Sequence, residues 1–230
     1  MSNIFVGNIF VTHQNHEYNN QQNFLRQINE TVEYIGDYVN LYQVHSATFE
    51  SGILTDERTH EALNECKKSK GWSIGLSVSG PNQNGIITEA MKIKCSDGTR
   101  LFDSVQCTFN VLEQRPGDAL VKAHEAGMDI IIKEGMANGR VFLSEKMQQI
   151  SSSTGIAIDQ LALACILSQP FKGRVLSGAV TNEQLISNVK AIELSEKLSG
   201  VDKKLLDEIM EGCCMESEKY WKDRSDLAWN

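Results

Sequence analysis

The feature that most constrains the fold is a phrase that recurs along the chain. A short apolar run breaks off on polar residues and leads into a helical stretch. Asp37-Tyr-Val-Asn-Leu-Tyr-Gln-Val-His45 states it first; Trp72–Ser77, Phe102–Gln106, Met128–Glu134 and Arg174–Gly178 repeat it. Runs that are apolar without strict alternation suit strands buried on both faces, as in parallel sheets. The segments between them are long enough for a crossover helix, so βαβ units are the economical reading. In a closed barrel of such units the carboxyl ends of the strands carry the chemistry. His45, Ser77, Gln106, Lys133, Glu134 and Gly178 are then predicted to face one pocket.

Length sets the next limit. The chain has 230 residues, 41% of them hydrophobic and 23% charged, which fits one globular domain. A complete eight-stranded α/β barrel takes about 250 residues, and the stretch from about Val201 lies outside the repeat. The expected fold is therefore α/β, a TIM (β/α)8-type barrel that is incomplete and lacks about the first two βα units. Residues 1–22 read as an irregular segment with short strands, 23–200 as the barrel domain, and 201–230 as a C-terminal helix with an aromatic tail. Open first and last strands would invite self-association.

A net charge of -8 argues against a nucleic-acid partner, which favours a basic face. It leaves room for an anionic ligand, because strand ends and helix N-termini bind phosphate locally. No apolar stretch approaches the roughly 20 residues of a membrane helix, and the N-terminus lacks the marks of a cleaved leader. The six cysteines form no Cys-x-x-Cys pair, so thiols in a reducing cytoplasm are expected. No metal-ligand set is evident; His13 and His16 sit among asparagines that disfavour a helix, and read as solvated.

Along the chain, Asn3–Thr12 reads as two short strands around Gly7-Asn8 or as one strand with a glycine break. Helices are expected at about 21–35, 55–70, 85–92, 117–126, 143–154 and 158–167, and from Thr181 onward. Thr181 and Gln184 have capping-box spacing, with Leu185, Val189 and Ile192 as an apolar stripe. A further amphipathic stretch covers 201–210. The tail Tyr220–Trp229 is aromatic enough to dock.

Several residues carry chemical alternatives. His45 can orient a carbonyl or move a proton, or serve as a structural imidazole bonded to nearby backbone. Gly178-Ala179 lead into a capped helix whose N–H groups make a natural phosphate seat, but an ordinary strand-to-helix turn needs the same residues. Lys133-Glu134 read as an internal ion pair or as a catalytic pair with shifted pKa values, the ion pair being favoured. Ser77 and Gln106 suit an amide- or hydroxyl-bearing ligand, or satisfy adjacent loops.

At these residues the sequence resembles the aldo-keto reductase family, continuously over about residues 37–196. Asp37–His45 looks like the family's strand ending in its catalytic histidine. Ile74-Gly-Leu-Ser77 resembles the segment whose serine helps hold the nicotinamide amide. Phe102–Gln106, followed by Phe109–Leu112, resembles the next strand, whose glutamine also meets the nicotinamide. Gly178–Asn188 looks like the final strand and helix that bind the adenosine end of NADP(H). The resemblance implies an NAD(P)H-dependent oxidoreductase that reduces a small carbonyl substrate to an alcohol. It assigns His45 to catalysis and Ser77, Gln106, Lys133, Gly178, Ala179, Thr181, Gln184 and Asn188 to the cofactor.

Departures accompany it. Val78 replaces the usual asparagine after the serine, and Lys133 stands where an aromatic ring often stacks on the nicotinamide. Val180 and Gln184 occupy places where NADPH-selective members often carry basic residues, so NADP and NAD both stay open. Of the family tetrad of Asp, Tyr, Lys and His only His45 is matched; Phe10-Val-Thr-His13 sets His13 at the lysine's place. The tetrad's Asp and Tyr are not found. Tyr42 lies on the histidine's strand, short of the mouth, and is not read as the proton donor. The alternative reading is a catalytically degenerate relative that binds nucleotide or a protein partner without turnover.

Overall fold

Each apolar run becomes a strand and each intervening stretch a helix, which makes neighbouring strands parallel. The computed structural model describes residues 6–9 and 20–228. These fall into two compact units, one built from residues up to Gln106 with 125–129, the other from 107–124 with 130 onward.

In the first unit the strands are β1 (Val6–Ile9), β2 (Leu41–Ala47), β3 (Ser73–Val78) and the start of β4 (Ser104–Thr108). β1 is one strand running through Gly7-Asn8, and it pairs in parallel with β2 from Val6↔Leu41 to Ile9↔Val44. β2 pairs with β3, and β3 with β4, also in parallel. Helices α1 (Asn20–Ile35), α2 (Glu57–Lys70) and α3 (Gln83–Ala90) connect them. α2 starts where expected because the Asp56 carboxylate accepts from the N–H groups of Arg58 and Thr59, at 3.1 and 3.3 Å. Its Lys67 donates to Asp103 at 2.6 Å, while the other Asp103 oxygen accepts from Ile74 N–H at 2.9 Å. One carboxylate thereby sets α2 against the starts of β3 and β4. The readings for His13, His16 and Phe10–His13 lie outside the described residues.

In the second unit β5 (Asp129–Lys133) pairs in parallel with the two-residue β6 (Arg174–Val175). Around them stand α4 (Gly117–Glu125), α5 (Glu145–Thr154), α6 (Ile158–Leu167), α7 (Asn182–Leu198), α8 (Lys203–Cys213) and α9 (Ser217–Ser225). The helix expected from residue 143 starts two residues later: Ala137–Leu143 is a kinked 3-10 segment, and Ser144 caps α5. After its first turn α6 is apolar all round, with Leu161 to Ile166 buried, as a core helix should be.

The stripe predicted for α7 turns out differently. Leu185, Val189 and Ile192 are half exposed, and Ala191 and Leu198 are the buried positions. The tail does dock. Tyr220 is fully buried, Asn110 Nδ2 donates to its hydroxyl at 3.0 Å, and the Arg140 guanidinium lies 4.0 Å over its ring. Among the described residues no single helix is long and apolar enough to cross a membrane; α5 and α6 pass that test only as a pair bent by 101°. All six cysteines are thiols, five of them buried.

Candidate functional site

The predicted residues fall into two groups, one in each unit. His45, Ser77 and Gln106 belong to the first; Lys133, Gly178, Ala179, Thr181, Gln184 and Asn188 belong to the second.

In the first group alternation along parallel strands sends every second side chain to the same face. Gln43, Gly75 and Ser104 are register partners in one row, and Ser77 and Gln106 are partners in the next. A Cβ on Gly75 would collide with Ser104 Oγ and stand 3.0 Å from Gln43 Cγ, so only glycine lets those two side chains cross over the strand. Gln43 Nε2 donates to Gln106 Oε1 at 3.0 Å. That bond fixes the Gln106 amide with its NH2 group turned away from Gln43. Gln43 is buried, and neither its Oε1 nor Ser104 Oγ finds a hydrogen-bond partner among the described residues.

His45 follows two residues after Gln43. The register runs Val44↔Leu76 and then Ala47↔Val78, so His45 and Ser46 together oppose Ser77 in a β-bulge. Bulges re-aim side chains and cluster beside active sites. Ser46 adopts φ +53, a left-handed conformation that costs of order 1 kcal/mol or more for a non-glycine residue. Its hydroxyl is hydrogen-bonded to His45 Nδ1 at 2.9 Å. The strained backbone and this bond together fix the orientation of the imidazole. Tyr42 goes to the opposite face, stacked on Trp72 with centroids 5.4 Å apart, and burial pushes its hydroxyl pKa well up. It is a core residue.

In the second group Lys133 ends β5. Burial pulls its pKa down, opposed by the nearby Glu134 carboxylate. Glu134 sits at φ +56, and its carboxylate is gripped by Arg224 of α9 through bonds of 2.6 to 3.1 Å. Glu134 thus takes an arginine from the tail as an ion-pair partner, while its charge also acts on Lys133. A guanidinium fork matches a carboxylate better than an ammonium does.

Of the remaining residues, all but Thr181 (Gly178, Ala179, Gln184 and Asn188) line a cavity of about 210 Å3, together with Met136, Phe142, Asp159 and Ser177. Gly178 takes φ +67 to turn the chain from β6 toward α7. The capping box is made in its first half, and the returning bond lands one residue before the cap. Gln184 N–H donates to Thr181 Oγ1 at 3.2 Å, and Gln184 Oε1 accepts from Val180 N–H at 2.9 Å. Thr181 therefore starts the helix and does not line the cavity. The orientation of the Asn188 amide that satisfies its neighbours has Oδ1 accepting from Ser177 Oγ at 2.8 Å. Nδ2 then donates to Asp159 Oδ2 at 3.0 Å and to the Gln184 carbonyl at 3.2 Å.

Sequence reasoning missed Gln43 and Asp159. Gln43 had a signal, a polar residue at even spacing before His45 inside an apolar strand. Asp159 had none, since an acid in the first turn of a helix is ordinary. Among the described residues no group of three or more His, Cys, Asp or Glu side chains is arranged to hold a metal ion.

Parallel strands alternating with helices, and polar side chains at the strand ends, define an α/β fold of the barrel type. The chain belongs to the aldo/keto reductase family, whose profile matches residues 2–211. Among curated relatives it is 27% identical over 139 residues to a putative voltage-gated potassium channel subunit beta of Schizosaccharomyces pombe, covering 60% of this chain and 35% of that protein. It is 24% identical over 180 residues to the uncharacterised oxidoreductase YqkF of Bacillus subtilis, covering 67% and 55%. The chain thus spans about a third to a half of the length of these relatives. The thermostable aldo-keto reductase Tm1743 superposes with a TM-score of 0.63 at 27% identity, covering 82% of this chain and 66% of that one. The aldo-keto reductase AKR11C1 of Bacillus halodurans gives a TM-score of 0.68 at 19% identity, covering 94% and 75%, a likeness of fold.

Proposed function

We propose that this protein is an NAD(P)H-dependent oxidoreductase that reduces a small aldehyde or ketone to an alcohol. Family membership supports the reading, and the observation that carries it is the paired row of Ser77 and Gln106 beside a bulge that presents His45. The residues suit a nicotinamide. A carboxamide needs one donor and one acceptor, and a serine hydroxyl beside the outward NH2 of Gln106 meets that need. When bound, the cofactor supplies hydride to the carbonyl carbon.

The chain's own residues orient the reactants. With Ser46 Oγ donating to Nδ1, His45 carries its proton on Nε2 and donates it to the carbonyl oxygen as a hydrogen bond, where negative charge develops. Gln43 keeps the Gln106 amide in the orientation that meets the carboxamide. The residues from Gly178 to Asn188 take the adenosine end, with Met136 and Phe142 offering apolar surface. The thiol state of all six cysteines supports a reducing cytoplasm as the setting.

The test is a fluorescence titration of the protein with NADH and NADPH, followed by a screen of simple aldehydes and ketones. Saturable micromolar binding and turnover abolished by His45→Ala is the expected result. Binding without any turnover would leave a nucleotide-binding relative that has lost the chemistry. Absence of binding to either nucleotide would overturn the reading.

A further inference from the structure

The cavity between β6, α6 and α7 is built to accept hydroxyls and poorly built to accept a phosphate. Its lining contains one carboxylate, Asp159, and neither lysine nor arginine. The two helix N-termini near it already carry acids in their first turns, Asp159 in α6 and Glu183 in α7. Those acids occupy the positions where a helix dipole would otherwise favour an incoming anion. Three amide donors of the loop and helix start are also engaged. Ala179 N–H donates to Ser177 Oγ at 3.2 Å, Val180 N–H to Gln184 Oε1 at 2.9 Å and Gln184 N–H to Thr181 Oγ1 at 3.2 Å. A phosphate would have to break the cap to recruit them.

Asp159 is positioned as well as charged. Asn188 Nδ2 holds its Oδ2 at 3.0 Å, and Ser177 Oγ holds the Asn188 amide in turn. A carboxylate fixed in this way accepts from the two neighbouring hydroxyls of a ribose, and repels a phosphate at the same place. We infer that Asp159 is the residue that selects between the two nicotinamide nucleotides: it favours the one whose adenosine ribose carries free hydroxyls and rejects the 2'-phosphorylated one. The inference rests on the dinucleotide reading above and deepens it.

The experiment measures dissociation constants of NADH and NADPH by fluorescence, for the native protein and for Asp159→Asn, which keeps the side-chain shape and the bond to Asn188. ADP-ribose and its 2'-phosphate serve as competing probes that lack the nicotinamide. The expected result is NADH binding tighter than NADPH by about tenfold or more, the scale of one added like-charge contact. Asp159→Asn should reduce that ratio by about tenfold, mainly by improving NADPH, and the two ADP-ribose probes should follow the same order. NADPH binding as tightly as NADH, or a ratio unmoved by Asp159→Asn, would overturn the role of Asp159 while leaving the oxidoreductase reading intact. Failure of both nucleotides to bind would overturn the two together.

Discussion

The two groups of candidate residues are made in opposite ways. Around β2, β3 and β4 the site is assembled from buried side chains that hold one another: Gln43 holds Gln106, Ser46 holds His45, and Gly75 makes room for Gln43 and Ser104. Around α6 and α7 it is assembled from a loop, two helix starts and half-exposed polar groups. The first is interlocked around Gly75, so a change at that glycine disturbs packing as well as chemistry. The second is local, so a change there should alter ligand choice and leave the fold almost untouched.

The largest expected effect sharpens the first half. His45→Ala should lower kcat with a simple aldehyde by about 10²- to 10³-fold, with a thermal midpoint close to the native value; a modest kcat loss would move the stabilisation of the carbonyl oxygen elsewhere. Gly75→Ala should follow, costing about 1–3 kcal/mol by denaturant unfolding, because the new methyl enters the space of Ser104 Oγ. Gln43→Leu releases Gln106 while removing a buried carbonyl that lacks a partner, so stability should change by under about 1 kcal/mol. Nucleotide affinity should meanwhile fall by about tenfold, the equivalent of one oriented hydrogen bond. The smallest effect tests the second half. Thr181→Ala removes the cap of α7 and should cost about 1 kcal/mol, since the Gln184 N–H then has no hydroxyl to donate to. A cost as large as that of Gly75→Ala would break the distinction between a core site and a local one.

Much of this was legible in the residues. The 158–167 helix has the bounds its apolar composition predicts. The strands that carry His45, Ser77 and Gln106 follow the unalternating apolar runs and continue one or two residues past them, because strands covered on both faces leave few polar positions except near their ends. The α7 stripe was legible as a pattern and wrong in its burial. Periodicity says which residues share a face but not which face meets a partner, and α7 turns Ala191 and Leu198 inward. The Glu134 partner was beyond reach, because Arg224 is 90 residues away in sequence.

The sequence by itself determined the alternation of strand and helix, the family, and the side chains delivered to the strand ends. Those depend on local propensity and on a two-residue period that any neighbour must respect. Tertiary structure decided the rest: that Gln43 fixes Gln106, that a bulge and a strained Ser46 aim His45, that Arg224 takes Glu134, and that Asp159 meets Asn188 at a cavity whose lining holds no lysine or arginine. Most of these are encounters between residues far apart in the chain, and their geometry exists only after the strands and helices have packed.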